Sequence, residues 1–131
     1  MSAHHDERER LDLLSNRVVG AALKVHQEIG PGNLERACES CLAFELAEDG
    51  LHVERQVELP LVYKGHRLDC GYRIDLLVED KILVEVKTVD ALLPIHASQL
   101  LSYLKLSSLQ VGLLINFHVR LLKHGIRRFL L

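Results

Sequence analysis

Apolar residues recur at Val18, Ala21, Ala22, Val25 and Ile29. This is the three-and-four spacing of one helix face, so residues 14–29 predict an amphipathic helix. Gly30-Pro31-Gly32 stops it, because glycine favours the turn and proline cannot continue the helical hydrogen bonding. A second helix is predicted over residues 33–49, with Asn33 as N-cap and Gly50 closing it. Leu34, Ala37, Cys38, Cys41, Leu42, Glu45 and Leu46 fall on one of its sides. From Leu51 the period changes to two, with β-branched residues and short turns. Residues 53–62 read as one or two strands broken at Pro60, Lys64-Gly65 as a turn, and residues 67–78 as a further strand region. Glu79-Asp80-Lys81 is a tight connection into an apolar strand over residues 82–88. After the break at Ala91-Leu92-Leu93-Pro94 comes a helix over residues 96–106, then an almost wholly apolar strand over residues 109–116. Such a run suits a central strand covered on both faces. A last strand is predicted over residues 120–130. The order ααβββαββ predicts an α/β domain, one mixed sheet flanked by helices.

The chain of 131 residues has a domain's worth of sequence, and we read residues 1–12 as a tail and 13–131 as a single domain. A hydrophobic fraction of 48% with 26% charged residues is a globular mixture and argues against disorder. No apolar run approaches the ~20 residues of a membrane span. The charged start, Met1 to Arg10, lacks the apolar core of a secretory signal. The three cysteines, Cys38, Cys41 and Cys70, are too few and odd in number for a disulfide framework. The expected location is cytoplasmic, without a membrane partner. A net charge of −2 gives no global pull toward nucleic acid, so charge distribution matters more. Between His118 and Arg128 stand Arg120, Lys123, Arg127 and Arg128 with no acid, either a basic patch or the solvated face of an edge strand.

The most informative stretch is Tyr72-Arg73-Ile74-Asp75-Leu76-Leu77-Val78 followed by Ile82-Leu83-Val84-Glu85-Val86-Lys87. On a strand, Glu85 and Lys87 share one face while Ile82, Val84 and Val86 share the other. If Glu79-Asp80-Lys81 is a three-residue loop, Val78 opposes Ile82 and Asp75 opposes Glu85, so both carboxylates and Lys87 converge. A two-residue turn would instead set Asp75 against Val84. Converging carboxylates suit a hard cation such as Mg²⁺ or Mn²⁺. A buried Asp–Lys–Glu ion-pair set, or a solvated sheet face, answers to the same pattern.

Asp75 followed by Glu85-Val86-Lys87 matches the PD-(D/E)xK nuclease superfamily, an acid and then Glu-x-Lys on adjacent strands. The chain more closely resembles the GxxExxY family within it. That resemblance rests on Val25-His26 leading to Gly30-Pro31-Gly32, then Gly32-x-x-Glu35-x-x-Cys38, Glu54-Arg55-Gln56-Val57 and Tyr63-Lys64-Gly65. It continues through the Asp75 and Glu85-Val86-Lys87 strands, His96-x-x-Gln99-Leu100-x-x-Tyr103-Leu104, and Val111 to Phe117.

The resemblance implies a restriction-endonuclease-like fold and divalent-metal (Mg²⁺ or Mn²⁺) cleavage of phosphodiester bonds in nucleic acid, DNA being the expected substrate. It implies Asp75 and Glu85 as metal ligands, with the Val86 carbonyl a third, and Lys87 as the catalytic lysine. Glu35 matches the family's glutamate and would complete the metal shell through water. Gln99 and Tyr103, one helical turn apart, and Arg73 beside the carboxylate are the implied substrate contacts. The family's tyrosine is Cys38 here, and a thiol has neither the reach nor the hydrogen bond of a phenol. Cys38 and the modest charge favour the alternative, a nucleic-acid- or protein-binding module on a nuclease fold with weakened chemistry. A core this small suggests a homodimer, or a partner protein that supplies specificity.

Other signals count for less. Cys38-Glu39-Ser40-Cys41 lacks the second ligand pair that four-coordinate zinc needs. His26 and His96 coincide with family positions, yet a histidine bonded to nearby backbone explains each as well.

Overall fold

The computed structural model describes residues 3–131. Helix α1 (Ala3–Ile29) and α2 (Glu35–Glu48) lead into strands β1 (Val53–Glu58), β2 (Leu61–Tyr63), β3 (His66–Leu68), β4 (Arg73–Val78) and β5 (Ile82–Lys87). Then follow α3 (Pro94–Ser107), β6 (Val111–Asn116), a 3₁₀ turn (Leu122–Gly125) and β7 (Ile126–Leu130). Five strands form one sheet in the order β1-β4-β5-β6-β7, with β5 and β6 parallel and every other pair antiparallel. Strands β2 and β3 form a separate two-stranded hairpin. The main sheet thus keeps the predicted order ααβββαββ, with the hairpin inserted between β1 and β4.

Two cores cover the sheet. Ile82, Val84 and Val86 pack with Val18, Ala22 and Val25 of α1 and Cys38, Leu42 and Leu46 of α2. Leu83 and Leu114 pack with Leu100, Tyr103 and Leu104 of α3. The alternation read from β5 is the one observed, and β6 is buried at all six positions, as a central strand should be.

Four sequence expectations need correction. Residues 3–12, read as tail, continue α1: Leu11 is buried in the core and Asp12 is ion-paired with Arg128. Asn33 does not cap α2. Its side-chain amide donates to Ile29 O and Gly30 O, so it closes the first helix, while Leu34 holds the N-cap position of the second. Leu34 and Ala37, placed on the apolar side of α2, are exposed, and buried Glu39 lies on that side instead. The strand expected over residues 120–130 begins only at Ile126, because residues 122–125 wind into the 3₁₀ turn. Among the described residues no helix is long and apolar enough to cross a membrane.

The turn after α1 depends on glycine: Gly30 (φ 65°) and Gly32 (φ 88°) both occupy left-handed backbone. Gly30 N–H donates to His26 O at 2.8 Å, and Gly32 N–H donates to His118 Nδ1 at 3.1 Å. The turn thereby ties the start of α2 to the loop that leaves β6.

Candidate functional site

The β4–β5 hairpin decides whether the site can exist. Val78 pairs with Ile82, Leu77 with Leu83 and Leu76 with Val84, the register of the three-residue loop. Beyond Leu76 the paired ladder stops. The Val86 N–H donates to Asp75 Oδ2 at 2.9 Å, so a carboxylate accepts the bond that a strand carbonyl normally takes. The opening lies at the end of the sheet where β5 finishes at Lys87 and its parallel neighbour β6 at Asn116.

Glu85 is almost fully buried, and its Oε1 has no hydrogen-bond partner among the described residues. Burial, and then the Asp75 charge, push its pKa up to about 8, against the opposing pull of Lys87. Asp75 is raised chiefly by burial and further by Glu39 and Glu35, while the Val86 N–H and Lys87 pull it down. The charges of Glu35 and Lys87 thus both act on Asp75 and Glu85. An unpartnered buried carboxylate oxygen beside a second half-buried acid is a costly arrangement for a bare protein. A hard divalent cation with oxygen ligands would relieve it, so the donor set fits one.

Helix α2 supplies more than the sequence reading assigned to it. Glu39, one turn after Glu35, is buried, and Gln56 Nε2 donates to its Oε1 at 2.6 Å. Arg55 forms a forked contact with Glu39 Oε2, from Nη2 at 2.9 Å and Nε at 3.2 Å, and its Nη2 also donates to Ser40 Oγ. Gln56 occupies left-handed backbone at φ 52°, and its Nε2 also reaches Asp75 Oδ1 at 3.4 Å. Glu35, Arg36, Glu39, Arg55, Gln56 and Asp75 line an open cleft of about 640 Å³. The Glu35/Glu39 spacing was a readable signal, with Glu39 hidden inside the Cys38-x-x-Cys41 run. The strained backbone at Gln56 left no trace in the strand pattern.

The chain belongs to the PD-(D/E)XK nuclease superfamily. The sequence model of that superfamily matches residues 12–129, nearly the whole chain, and the five-stranded mixed sheet is consistent with its restriction-endonuclease-like fold. No curated protein and no solved structure gave a significant match. PD-(D/E)XK nucleases use divalent metals, and membership implies a nucleic-acid substrate.

In this PD-(D/E)XK domain the expected substrate contacts divide between α3, which carries Gln99 and Tyr103, and the start of β4, which carries Arg73. Gln99 Nε2 donates to the Tyr103 hydroxyl at 3.0 Å, so the two share a face of α3. Burial raises the Tyr103 pKa, with the Glu85 and Asp75 charges adding to it against the Gln99 hydrogen bond, and the ring packs in one core with Ile74 and Leu83. Arg73 is exposed at the first position of β4 and, among the described residues, makes no ion pair with the acids. Val86 is fully buried. Cys38 is also fully buried, in the core between α2 and the sheet, so its thiol does not reach the cleft. His26 Nε2 bonds to Val119 O at 2.7 Å, and His96 Nδ1 accepts from Leu93 N–H at 2.9 Å; both are backbone-bonded histidines.

Asn116 is a further residue that sequence reasoning missed. Its buried amide donates to Val89 O and accepts from the Val89 and His118 N–H groups, which fixes the chain leaving β5 to the end of β6. A separate group, His52, Glu54 and Asp80, is near enough to share an ion, but all three are exposed and lie at the opposite end of β4. It is not part of this cleft.

Proposed function

We propose that this protein is a divalent-metal-dependent nuclease of the GxxExxY type that hydrolyses phosphodiester bonds in DNA at the Glu35–Asp75–Glu85–Lys87 cleft. The observation that carries the reading is Glu85, an acid held buried with one oxygen unpartnered, beside Asp75 and Lys87. Asp75, Glu85 and the Val86 carbonyl would hold Mg²⁺ or Mn²⁺, with Glu35 completing the shell through water. Such an ion supplies Lewis-acid polarisation of the phosphorus–oxygen bond and an acidified water.

The chain's own residues do the rest. Lys87 brings the positive charge that offsets the negative charge building on the phosphate in the transition state. The Asp75 carboxylate is held by the Val86 N–H and Gln56, so it is oriented before substrate arrives. Arg73 contacts a phosphate, while Gln99 and Tyr103 orient substrate from α3. The three free cysteines suit a reducing, cytoplasmic setting. A second copy or a partner protein supplies its specificity.

One observation favours a second reading. Cys38 stands where the family has a tyrosine, and its burial leaves the cleft without that phenol, which suits a binding module with weakened chemistry. One experiment separates the two. Wild type and Lys87→Ala are incubated with single-stranded, duplex and branched DNA and RNA, in Mg²⁺, Mn²⁺ or EDTA. Cleavage is expected only with metal, and a drop of at least about 100-fold in the variant. Binding without cleavage in every wild-type lane would establish the binding module instead.

A further inference from the structure

On the α3 side of the cleft is a second, smaller cavity of about 240 Å³ lined by Tyr72, Ile95, Ser98, Gln99, Ser102 and Tyr103. Its floor is aromatic: the Tyr72 and Tyr103 rings are 5.6 Å apart between centroids and tilted by 42°. Tyr103 is buried beneath it, whereas Tyr72 keeps 37% of its surface exposed and Ile95 keeps 66%. Ser98 and Ser102, one helical turn apart on α3, add hydroxyls, and Gln99 adds an amide. The cavity adjoins the strands that carry the acids: Tyr72 directly precedes β4, and Tyr103 packs in one core with Ile74, next to Asp75, and Leu83, two residues before Glu85.

Resting on the nuclease reading above, we infer that this cavity takes the base of an unpaired nucleotide next to the scissile phosphate, so that the preferred substrate is single-stranded or locally unpaired. An aromatic floor with exposed apolar and hydroxyl walls matches the two parts of a base, a flat π-face and a polar edge. The sugar–phosphate chain has a basic path beside it. Arg73 follows Tyr72 directly, and Leu59 N–H donates to Tyr72 O, which closes the base of the β2–β3 hairpin. That hairpin exposes Lys64, His66 and Arg67, with the Lys64 ammonium 5.5 Å from the Tyr63 ring centre. A base inside a duplex has its faces stacked and its edge paired, so it cannot enter without first being extruded.

The test is binding in EDTA, followed by fluorescence anisotropy, with a labelled single strand of about 15 nucleotides. The same strand is presented as a duplex and as a series carrying one abasic site at successive positions. Wild type is expected to prefer the single strand and to lose about tenfold in affinity at one or two abasic positions. Tyr72→Ala should lose about tenfold on the intact strand and nothing more on those abasic strands, and Tyr72→Trp should restore the wild-type pattern. Uniform binding across the wild-type abasic series, or equal affinity for the duplex, overturns the inference without relying on any variant. Metal-dependent cleavage is scored separately. Duplex cleavage with a flat abasic series removes the base pocket and leaves the nuclease, whereas a position-dependent series with no cleavage of any substrate removes the nuclease reading alone.

Discussion

The acids of the cleft were the most legible residues in the chain, because an Asp and a Glu-x-Lys on adjacent apolar strands have few places to go. The register then fixed Asp75 beside the β5 carboxylate. What the strand pattern could not carry is the electrostatic state of Glu85, which depends on how far α3 and the neighbouring strands exclude water. Its pKa is raised from 4.5 to about 8, so the folded state holds a proton that the unfolded chain has released. Between those values the folded state binds more protons, and stability falls as pH rises through the window and levels off above it. Asp75 is shifted in the same sense. In metal-free protein, Glu85→Gln is therefore expected to raise the melting temperature at pH 8, corresponding to on the order of 3 kcal/mol, with the gain shrinking toward about pH 5. Mn²⁺ should stabilise wild type at pH 8 and the variant much less. Thermal melts at both pH values, with and without the ion, check this; a variant that melts lower than wild type at pH 8 would remove the burial argument.

At the scale of elements, strongly periodic segments were read correctly and interrupted ones were not. Helix α3 and strands β5 and β6 are continuous apolar patterns, and each lies within two residues of its expected bounds. The start of α1 is rich in charge, so its helical state rests on few core contacts, chiefly Leu11. The attachment of α2 was the main omission, since polar pairing through Glu39 adds to the apolar contacts of Cys38, Leu42 and Leu46. Arg55 and Gln56 of β1 converge on buried Glu39, and Gln56 adopts a backbone conformation that costs about 1–2 kcal/mol outside glycine. Removing Arg55 leaves Glu39 short of its ion-pair partner where only 7% of that side chain meets water. Arg55→Ala should therefore lower stability by about 1–3 kcal/mol. Arg36→Ala, in the same cleft on an exposed side chain, should change it by less than about 0.5 kcal/mol. Urea denaturation of the two variants measures the difference, and equal losses would mean that Glu39 does not anchor the helix.

For the molecule as a whole, net charge was a poor guide, because the sum of −2 conceals where the charges sit. The basic run near the C-terminus divides in the structure. Arg120 and Lys123 precede Ile126, which pairs with Ile115 near the cleft end of β6, while β7 carries Arg127 and Arg128 back along the sheet edge. Arg128 is held by Asp12 of α1, so that half serves the fold and blunts an edge strand. On the other side, the hairpin with Lys64, His66 and Arg67 joins the sheet where Glu58 pairs with Arg73, at the same end as the acids. The acidic cleft is thus bracketed by two basic segments, an arrangement that attracts a polyanion to the rim while leaving the centre for a cation. Binding to nucleic acid should weaken with salt in proportion to the phosphates neutralised, with a log–log slope of about 0.7 for each phosphate neutralised on a single strand. Lys64→Glu combined with Arg67→Glu is expected to reduce affinity at least tenfold at low salt and to flatten that slope by about 1–2. Arg127→Glu, equally basic in origin but on the edge strand, should leave both nearly unchanged. If the β7 variant instead carried the larger loss, nucleic acid would run along the sheet edge and the hairpin would have no part in holding it.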